Sequence, residues 1–335
     1  MVSVEAEQLV EQVTLHKLEF VRAFLKEKNL PHVGKRADIR QTCLDLLEND
    51  GLDFEELKGF LEPLELWGSQ RIRLLRLPLE VLSGFQTGED IQARLNRVSM
   101  GSIWQEEIPL LIPTEISPLA VRFRDDSGRK TLTLIAGKIR EIWLSQPDIP
   151  ITESADHPGI IYRPFKREFQ KALSFAEIEL NSGHTMISVS LMKNATTGYI
   201  TEFEEFSDCF SEVLSFEIGA RIDLRNAVRN IYSATNADIL IHDQRNRSDF
   251  GGIASFRSHN RNYDVRQDPQ LHVAKENLGE QADGEFCNCY WQTTPELAEM
   301  VHTALYAAQG EVSFYGQLRE ESVRHVLQRI EHINQ

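Results

Sequence analysis

Apolar positions in residues 1–99 recur with the period of amphipathic helices. The pattern predicts helices over about residues 18–29, 39–48, 54–66 and 90–98. Short polar segments separate these helices, and Asn49-Asp50-Gly51 is a typical end for the second one. The sequence therefore predicts a small N-terminal helical bundle.

Beyond residue 118 the pattern changes to β signals. Residues 119–124 and 130–136 flank one turn sequence that contains glycine, and residues 175–180 and 185–191 flank another. Two extended runs on either side of such a turn are typical of an antiparallel hairpin. Three prolines in residues 100–118 restrict the backbone to extended conformations, which indicates an irregular connection there.

The last third of the chain mixes both patterns. Helices are predicted over residues 202–214 and 224–233, and residues 237–242 form a buried apolar strand. Thr294 followed by Pro295 is a typical helix start, so residues 294–310 are predicted as a helix. A C-terminal helix carries Val323, Leu327 and Ile330.

These elements predict an α+β fold. We expect a helical module over residues 1–99, a proline-rich connection over residues 100–118, and a mixed α/β body with antiparallel hairpins over residues 119–335. A chain of 335 residues with 41% hydrophobic and 26% charged side chains can bury a core without metal or disulfide support.

Composition limits the class of protein. The net charge of −15 argues against a surface that is basic throughout, although a local basic patch is compatible with it. The four cysteines have neither zinc nor disulfide-framework spacing, and we expect them to be reduced. No signal peptide or membrane span is apparent, so we expect a soluble protein of the cytoplasm, or of the nucleus in a eukaryote, without a membrane partner.

Charge is distributed unevenly along the chain. Residues 172–220 and 276–335 are strongly acidic, whereas residues 221–275 hold nine basic and six acidic side chains. Arg221, Arg225 and Arg229 are four residues apart and would form one basic stripe on a helix. Such segregation indicates surfaces with different partners.

An arginine-rich loop is predicted over residues 243–266. Glycines and the aromatic residues Phe250, Phe256 and Tyr263 are interleaved with its cations. The candidate ligands for phosphate in this loop are Arg245, Arg247, Arg257 and Arg261. Arginine matches phosphate geometry, and aromatic rings stack on unpaired bases, so the segment favours nucleic-acid binding. The alternative is that neighbouring aspartates pair with these arginines.

Residues 18–48 resemble the SAP family, a short helix–extension–helix DNA-binding module. Asn29-Leu30 would end its first helix, and Ile39 would begin the apolar face of its second helix. The resemblance implies DNA contact by Gly34, Lys35, Arg36 and Arg40. Backbone N–H groups at a helix start attract phosphate, and a nearby glycine permits close approach.

Common catalytic motifs are absent from the sequence. It contains no phosphate-binding loop and no metalloprotease or serine-hydrolase signature. Four carboxylates are considered for a metal-dependent nuclease: Glu177, Glu179, Asp238 and Asp243. Histidine spacing indicates no metal site, and no cofactor is predicted.

Three functions follow from these observations. The first is nucleic-acid binding, with DNA preferred over RNA, through the helical module and the basic stretch of residues 221–275, which we call the arginine segment. The second is a protein–protein assembly subunit, in which acidic and basic segments complement each other in a homo-oligomer or with a protein partner. The third is a metal-dependent nuclease.

Overall fold

The structure is a computed structural model. It describes residues 3–145, 152–153, 161–162, 164–191, 199–232, 238–248, 251–260, 262–276 and 283–335. Its helical bundle, antiparallel sheet and flanking helices confirm the predicted α+β class.

Four helices form the N-terminal bundle: α1 (Val4–Leu15), α2 (Leu18–Glu27), α3 (Arg36–Glu48) and α4 (Phe54–Leu66). Ser3 and Asp53 cap α1 and α4 by accepting hydrogen bonds from Ala6 N and Glu56 N, as short polar side chains do at helix starts. Leu9, Ile39 and Leu57 are fully buried in a core of the bundle's own. This confirms the helices predicted over residues 39–48 and 54–66, and α2 ends two residues before the predicted end.

Eleven described strands form one sheet. They are β1 (Gln70–Arg76), β2 (Ser117–Asp126), β3 (Arg129–Ser145), β6 (Phe165–Glu179), β7 (His184–Ser190), β8 (Ala220–Arg221), β9 (Ile239–Arg247), β10 (Ile253–Arg257), β11 (Asp283–Trp291), β12 (Val301–Tyr306) and β13 (Glu311–Tyr315). A separate pair is formed by β4 (Thr152–Glu153) and β5 (Ile161–Tyr162).

The strand order is β10-β9-β11-β12-β13-β1-β7-β6-β3-β2, and every described pair in it is antiparallel. The short β8 pairs with the end of β1. Strand β1 therefore lies between a half-sheet of β2, β3, β6 and β7 and a half-sheet of β9 to β13. Strand β1 falls within residues 1–99, so this stretch is not helical throughout, contrary to the prediction. Gln70, Ile72 and Leu74 alternate into the core, which is the pattern of a strand.

Both predicted hairpins are present. At the turn between β2 and β3, Ser127 and Gly128 have positive φ, and Asp125 Oδ1 accepts a hydrogen bond from Gly128 N at 3.1 Å. At the turn between β6 and β7, Gly183 has φ +71°, and a Cβ there would lie 2.1 Å from Leu77 O. Only glycine fits this second turn, because the backbone of Leu77 hydrogen-bonds to it.

Helices cover both faces of the sheet, but unequally. We call one face the α7 face: α5 (Leu79–Leu82), α6 (Gly88–Arg97) and α7 (Tyr199–Cys209) pack on it. The opposite face, called the α10 face, is covered by α8 (Arg225–Ile231), α9 (Pro269–Glu276) and α10 (Glu320–Ile333). Short 3₁₀ turns occur at Ser83–Phe85, Gly101–Ile103, Val265–Gln267 and Ala307–Gln309.

The bundle is attached on the α10 face. Trp67 follows α4 and packs edge-on against Phe175 of β6, with ring centroids 4.8 Å apart. Lys171 Nζ of β6 lies 2.7 Å from a carboxylate oxygen of Glu65. Gln12 of α1 donates a hydrogen bond to the carbonyl of Leu110, in the proline-bearing connection. The helical bundle and the sheet are therefore in direct contact.

The predicted helix over residues 294–310 is wrong. Residues 301–306 form β12, in which Val301, Thr303 and Leu305 point into the core of the α10 face. Leu297, Val301 and Leu305 are four residues apart, a spacing that fits one side of a strand as well as one face of a helix. The alternation of His302, Ala304 and Tyr306 with these residues is the signal of a strand.

The loop predicted over residues 243–266 is also wrong in part. Strand β9 continues to Arg247, and β10 pairs with it, so that Arg257 lies opposite Asp243 and Ile253 lies opposite Arg247. Gln244 and Asn246 alternate with the arginines and are buried. Because the buried residues are polar, the sequence does not show the alternation of apolar and polar residues that predicts a strand.

No described helix is long and apolar enough to cross a membrane. All four cysteines are free, and burial raises the pKa of Cys43 and of Cys209 to about 11. Such thiols are unreactive at neutral pH.

Candidate nucleic-acid interface

The part of the α7 face formed by β9 to β13 is not covered by any described helix. We call it the open face. The bordering side chains of β1 and β8 are included in it, although Arg71 and Arg73 of β1 lie against the rings of Tyr199 and Phe203 of α7. Strand registers bring together its polar and aromatic side chains: Arg71, Arg73, Arg221, Asp243, Arg245, Arg247, Ser255, Arg257, Phe286, Asn288, Tyr290, His302, Tyr306, Glu311, Ser313 and Tyr315.

One row of rings crosses three strands of the open face. Tyr290 lies opposite His302, and His302 lies opposite Tyr315. The rings of Tyr290 and His302 are stacked, with centroids 4.3 Å apart and planes 12° apart. The rings of His302 and Tyr315 are 4.6 Å apart. His302 Nε2 lies 2.7 Å from Asn288 Oδ1, which holds the imidazole in this stack.

A second row of rings runs parallel to the first. Phe286 lies opposite Tyr306, and their ring centroids are 5.3 Å apart in an edge-to-face contact. The guanidinium of Arg245 lies over the outer side of Phe286, 4.5 Å from its centroid. Between the two rows, Ala304 and Ser313 are buried by their larger neighbours. The middle of the open face is therefore an aromatic surface.

The inner margin of the open face holds a cluster of arginines. Arg71 and Arg73 of β1 share one carboxylate, that of Glu311, at 2.7 and 2.8 Å. The guanidinium of Arg71 also lies 4.0 Å from the ring centroid of Tyr306. Burial lowers the pKa of Arg73, Glu311 counteracts this, and Arg221 and Arg71 lower the pKa further. The cluster has more positive than negative charges.

The outer margin of the open face carries the arginines of β9. Arg247 is paired with Glu285, with Nε 2.6 Å from a carboxylate oxygen. No described carboxylate lies within ion-pair distance of Arg245, which is exposed. Its charge is available to a ligand.

Arg257 of β10 completes this margin. Its side chain is 70% exposed, and its Nε lies 3.9 Å from Asp243. The six arginines of the open face are therefore opposed by three carboxylates, those of Asp243, Glu285 and Glu311. A fourth, that of Asp283, lies at the rim. The result is a local positive excess in a chain of net charge −15.

The arginine segment predicted from the sequence is divided between the two sides of the sheet. Arg221 lies on β8, not on a helix, so the expected stripe with Arg225 and Arg229 is wrong. Arg225 and Arg229 are exposed on α8, on the α10 side. Arg225 Nη1 lies 3.5 Å from Asp223 and 3.9 Å from Asp283.

Other predicted members of the segment have different positions. Arg266 is paired with Asp264, as the alternative interpretation anticipated. Phe256 is buried on the α10 side of β10 and cannot stack on a base. Arg261 and Phe250 lie outside the described residues. The open face thus retains Arg221, Arg245, Arg247 and Arg257 from the predicted set.

The residues carried over from the SAP resemblance lie in the bundle, on the other side of the sheet. Residues 28–35 separate α2 from α3, and Gly34 has φ +142°. Asp38 Oδ2 accepts a hydrogen bond from Lys35 N at 2.7 Å, so a carboxylate already lies at the start of α3. Arg36 Nη1 donates to the carbonyl of His16 at 2.8 Å, and Arg40 is half-buried.

The aromatic residues of the open face were missed by the sequence analysis. The helix wrongly predicted over residues 294–310 concealed His302 and Tyr306, and β11 and β13 were not predicted at all. A usable signal was present in residues 286–291, where Phe286, Asn288 and Tyr290 alternate with buried Cys287, Cys289 and Trp291.

The carboxylates considered for a nuclease have arginine partners. Arg324 donates to both carboxylate oxygens of Glu177, and Arg329 to both of Asp238. The hydrogen bond from Arg329 lowers the pKa of Asp238. Among the described residues, no group of three or more His, Cys, Asp or Glu side chains is arranged to hold a metal ion.

Comparison with protein-family models and with curated proteins finds no match to this sequence.

Proposed function

We propose that this protein binds nucleic acid through the open face of its sheet. One observation carries the proposal: the part of the sheet without a described helical cover bears mainly arginines and aromatic rings, with Leu240 and Ile253 as its larger aliphatic side chains. Guanidinium groups bind phosphates, and rings bind bases. DNA is the nucleic acid we expect, because the α2–α3 region resembles a DNA-binding module.

If the open face binds nucleic acid, the arginines on that side of the sheet contribute to the affinity and those on the other side do not. Arg245 and Arg257 lie on the open face, whereas Arg225 and Arg229 lie on the opposite side of the same sheet. All four are exposed arginines in the same arginine segment. This arrangement supplies a matched pair of variants that alter net charge equally on two surfaces.

Fluorescence anisotropy with labelled single-stranded and duplex DNA and RNA, from about 50 to 300 mM salt, tests the proposal. We expect affinity to fall steeply with salt, and Arg245→Glu/Arg257→Glu to weaken binding by at least about tenfold. Arg225→Glu/Arg229→Glu should bind within about twofold of the wild type. Equal losses in both variants would reject the open face, and absence of binding at low salt would reject the function.

A second candidate function, protein–protein assembly, is favoured by a different observation. Beyond the sheet, β3 and β6 continue as a two-stranded ribbon in which Trp143 lies opposite Arg167. Trp143, Phe165 and Phe169 lie on one side of this ribbon and are 58%, 51% and 62% exposed. Arg167, paired with Glu141, lies among these rings on the same side. Exposed aromatic rings around such a pair are typical of an interaction surface.

Sedimentation velocity over a range of micromolar concentrations tests this second function for a homo-oligomer. We expect self-association of the wild-type protein and its loss in Trp143→Ser/Phe169→Ser. A wild-type monomer at every concentration would reject self-association through the ribbon. The two functions use different surfaces, so the arginine variants should leave the sedimentation coefficient unchanged.

A further inference from the structure

The open face has its rings in the middle and its cations at the two margins. Tyr290, His302 and Tyr306 lie on the adjacent strands β11 and β12, and Tyr315 lies on β13. On one side of these strands Arg221 is exposed, beside Arg71 and Arg73, which are largely buried against Glu311 and α7. Arg245 and Arg257 lie on the other side. A ligand that crosses the strands would meet cations, then rings, then cations.

The spacing of these groups suits a short segment of nucleic acid. Neighbouring strands are about 4.8 Å apart, so β1 and β9 are about 19 Å apart across the three intervening strands. Small single-strand-binding domains cover about four or more nucleotides. A segment of that length could place phosphates at both margins and bases over the rings.

Duplex DNA could contact the arginines at the margins of the open face, but its bases could not stack on the rings in the middle. In a duplex the base faces are stacked on one another, and only the base edges are presented in the grooves. The open face is formed by the five adjacent strands β9 to β13, which is wider than the α-helix or two-stranded ribbon that a major groove admits. Unpaired bases have free faces, and stacking on aromatic side chains is the usual way in which proteins hold them.

We infer that the ligand of the open face is single-stranded nucleic acid, held by base stacking on the rings of β11 to β13. Tyr315, with 37% of its surface exposed, is the most accessible of these rings. Tyr290 ends the three-ring stack on the side away from β1. The inference rests on the proposed function and specifies the form of nucleic acid that the open face binds.

Competition between an oligothymidine and a duplex of the same length, both unlabelled, against a labelled oligothymidine tests the inference. We expect the single strand to compete at least about tenfold better than the duplex. Replacing both end rings, in Tyr290→Leu/Tyr315→Leu, should weaken single-strand binding about fivefold or more and leave duplex binding unchanged. The matched control, Tyr290→Phe/Tyr315→Phe, keeps both rings and should bind like the wild type.

The possible outcomes separate the inference from the proposed function. A duplex that competes equally well or better would overturn the single-strand inference and leave nucleic-acid binding in place. Failure of both nucleic acids to bind at low salt would overturn both. An oligouridine arm shows whether ribose is accepted, because only RNA presents the 2′-hydroxyl.

Photo-crosslinking of the wild-type protein to an oligothymidine is a second test that does not depend on the stability of any variant. We expect the cross-linked peptides, identified by mass spectrometry, to contain residues 283–291 or 301–315. Cross-links confined to residues 30–40 would assign single-strand binding to the bundle instead and overturn the inference.

Discussion

The two halves of the sheet are built from the same antiparallel strands but end in different surfaces. Around β6 and β7 both faces are covered, and Ala176, Ile187 and Val189 are buried beneath α7. Around β11 to β13 the α10 face is buried beneath helices, whereas on the opposite face the smaller side chains of Ala304 and Ser313, together with Glu311, are buried among larger neighbours. The opposite face carries rings and arginines, which are stable when exposed to water. The comparison shows that a sheet face without a described helical cover differs in chemistry, not in backbone structure.

Truncation of one phenylalanine in each half should give the largest difference. Phe206 of α7 is fully buried against Phe210 and Phe216, so Phe206→Ala should lower the free energy of unfolding by about 3–5 kcal/mol. Phe286 on the open face keeps solvent contact, and Phe286→Ala should cost about 1 kcal/mol. Urea denaturation measures both, and similar losses would show that the open face is as tightly packed as the covered one.

The carboxylate at the border between the halves should have the next largest effect. Glu311→Gln would leave the largely buried Arg71 and Arg73 without their counter-charge, and we expect a loss of about 3 kcal/mol in the free energy of unfolding. The control is Glu285→Gln, which breaks the more exposed pair with Arg247 and should cost less than about 1 kcal/mol. Equal costs in urea denaturation would contradict the different burial of the two pairs.

Acid should weaken the packing of the bundle around His16. Burial, followed by the charges of Arg36 and Lys171, lowers the pKa of His16 to about 4. Since the unfolded chain binds a proton near pH 6.5, stability should fall as the pH decreases from about 6.5 to about 4, by at most about 3 kcal/mol. Above pH 6.5 this contribution is fully present.

His16→Gln isolates this effect, because carboxylates also titrate at low pH. The difference in unfolding free energy between wild type and His16→Gln, measured at intervals from pH 7 to pH 4, should change in this window. A constant difference would show that His16 has the same pKa in the folded and unfolded chains.

Neutralising one arginine on each side of the sheet should produce the smallest effect. Arg245→Gln should reduce the slope of log affinity for a single strand against log salt by about 0.7, because one phosphate contact is lost. Arg229→Gln on α8 should leave the slope unchanged. Each substitution should change the free energy of unfolding by less than about 0.5 kcal/mol, since both side chains are exposed. Equal slopes for both variants would remove Arg245 from the interface.

The elements that the sequence predicted correctly are those whose signal is local. The apolar face of α3, the helix of residues 54–66, the C-terminal helix and the turns with Ser-Gly between strands each depend on neighbouring residues. The arginines of the candidate interface could also be found from the sequence, because a basic segment in an acidic chain is visible in composition alone. Their division between two surfaces could not be found in this way.

Residues 294–310 show why local reasoning failed elsewhere. Leu297, Val301 and Leu305 fit a helix and a strand equally well, and Thr294-Pro295 favoured the helix. The strand forms because β11 and β13 lie on either side of β12 and pair with its backbone. Such pairing partners are distant in sequence, and β-strand formation depends on them more than on intrinsic preference.

By itself, the sequence determined an α+β protein with a helical N-terminal bundle, antiparallel hairpins and a concentration of arginine in residues 221–275. Only the tertiary structure decided that Arg245 and Arg257 share a surface with Tyr290, His302 and Tyr315, while Arg225 and Arg229 lie on the other side. Arg245 and Arg257 reach the open face because successive side chains of a strand point to opposite faces. Arg225 and Arg229 do not, because they belong to α8, which packs on the α10 face. Which face remains open depends on where the helices pack, and that is a property of the whole chain.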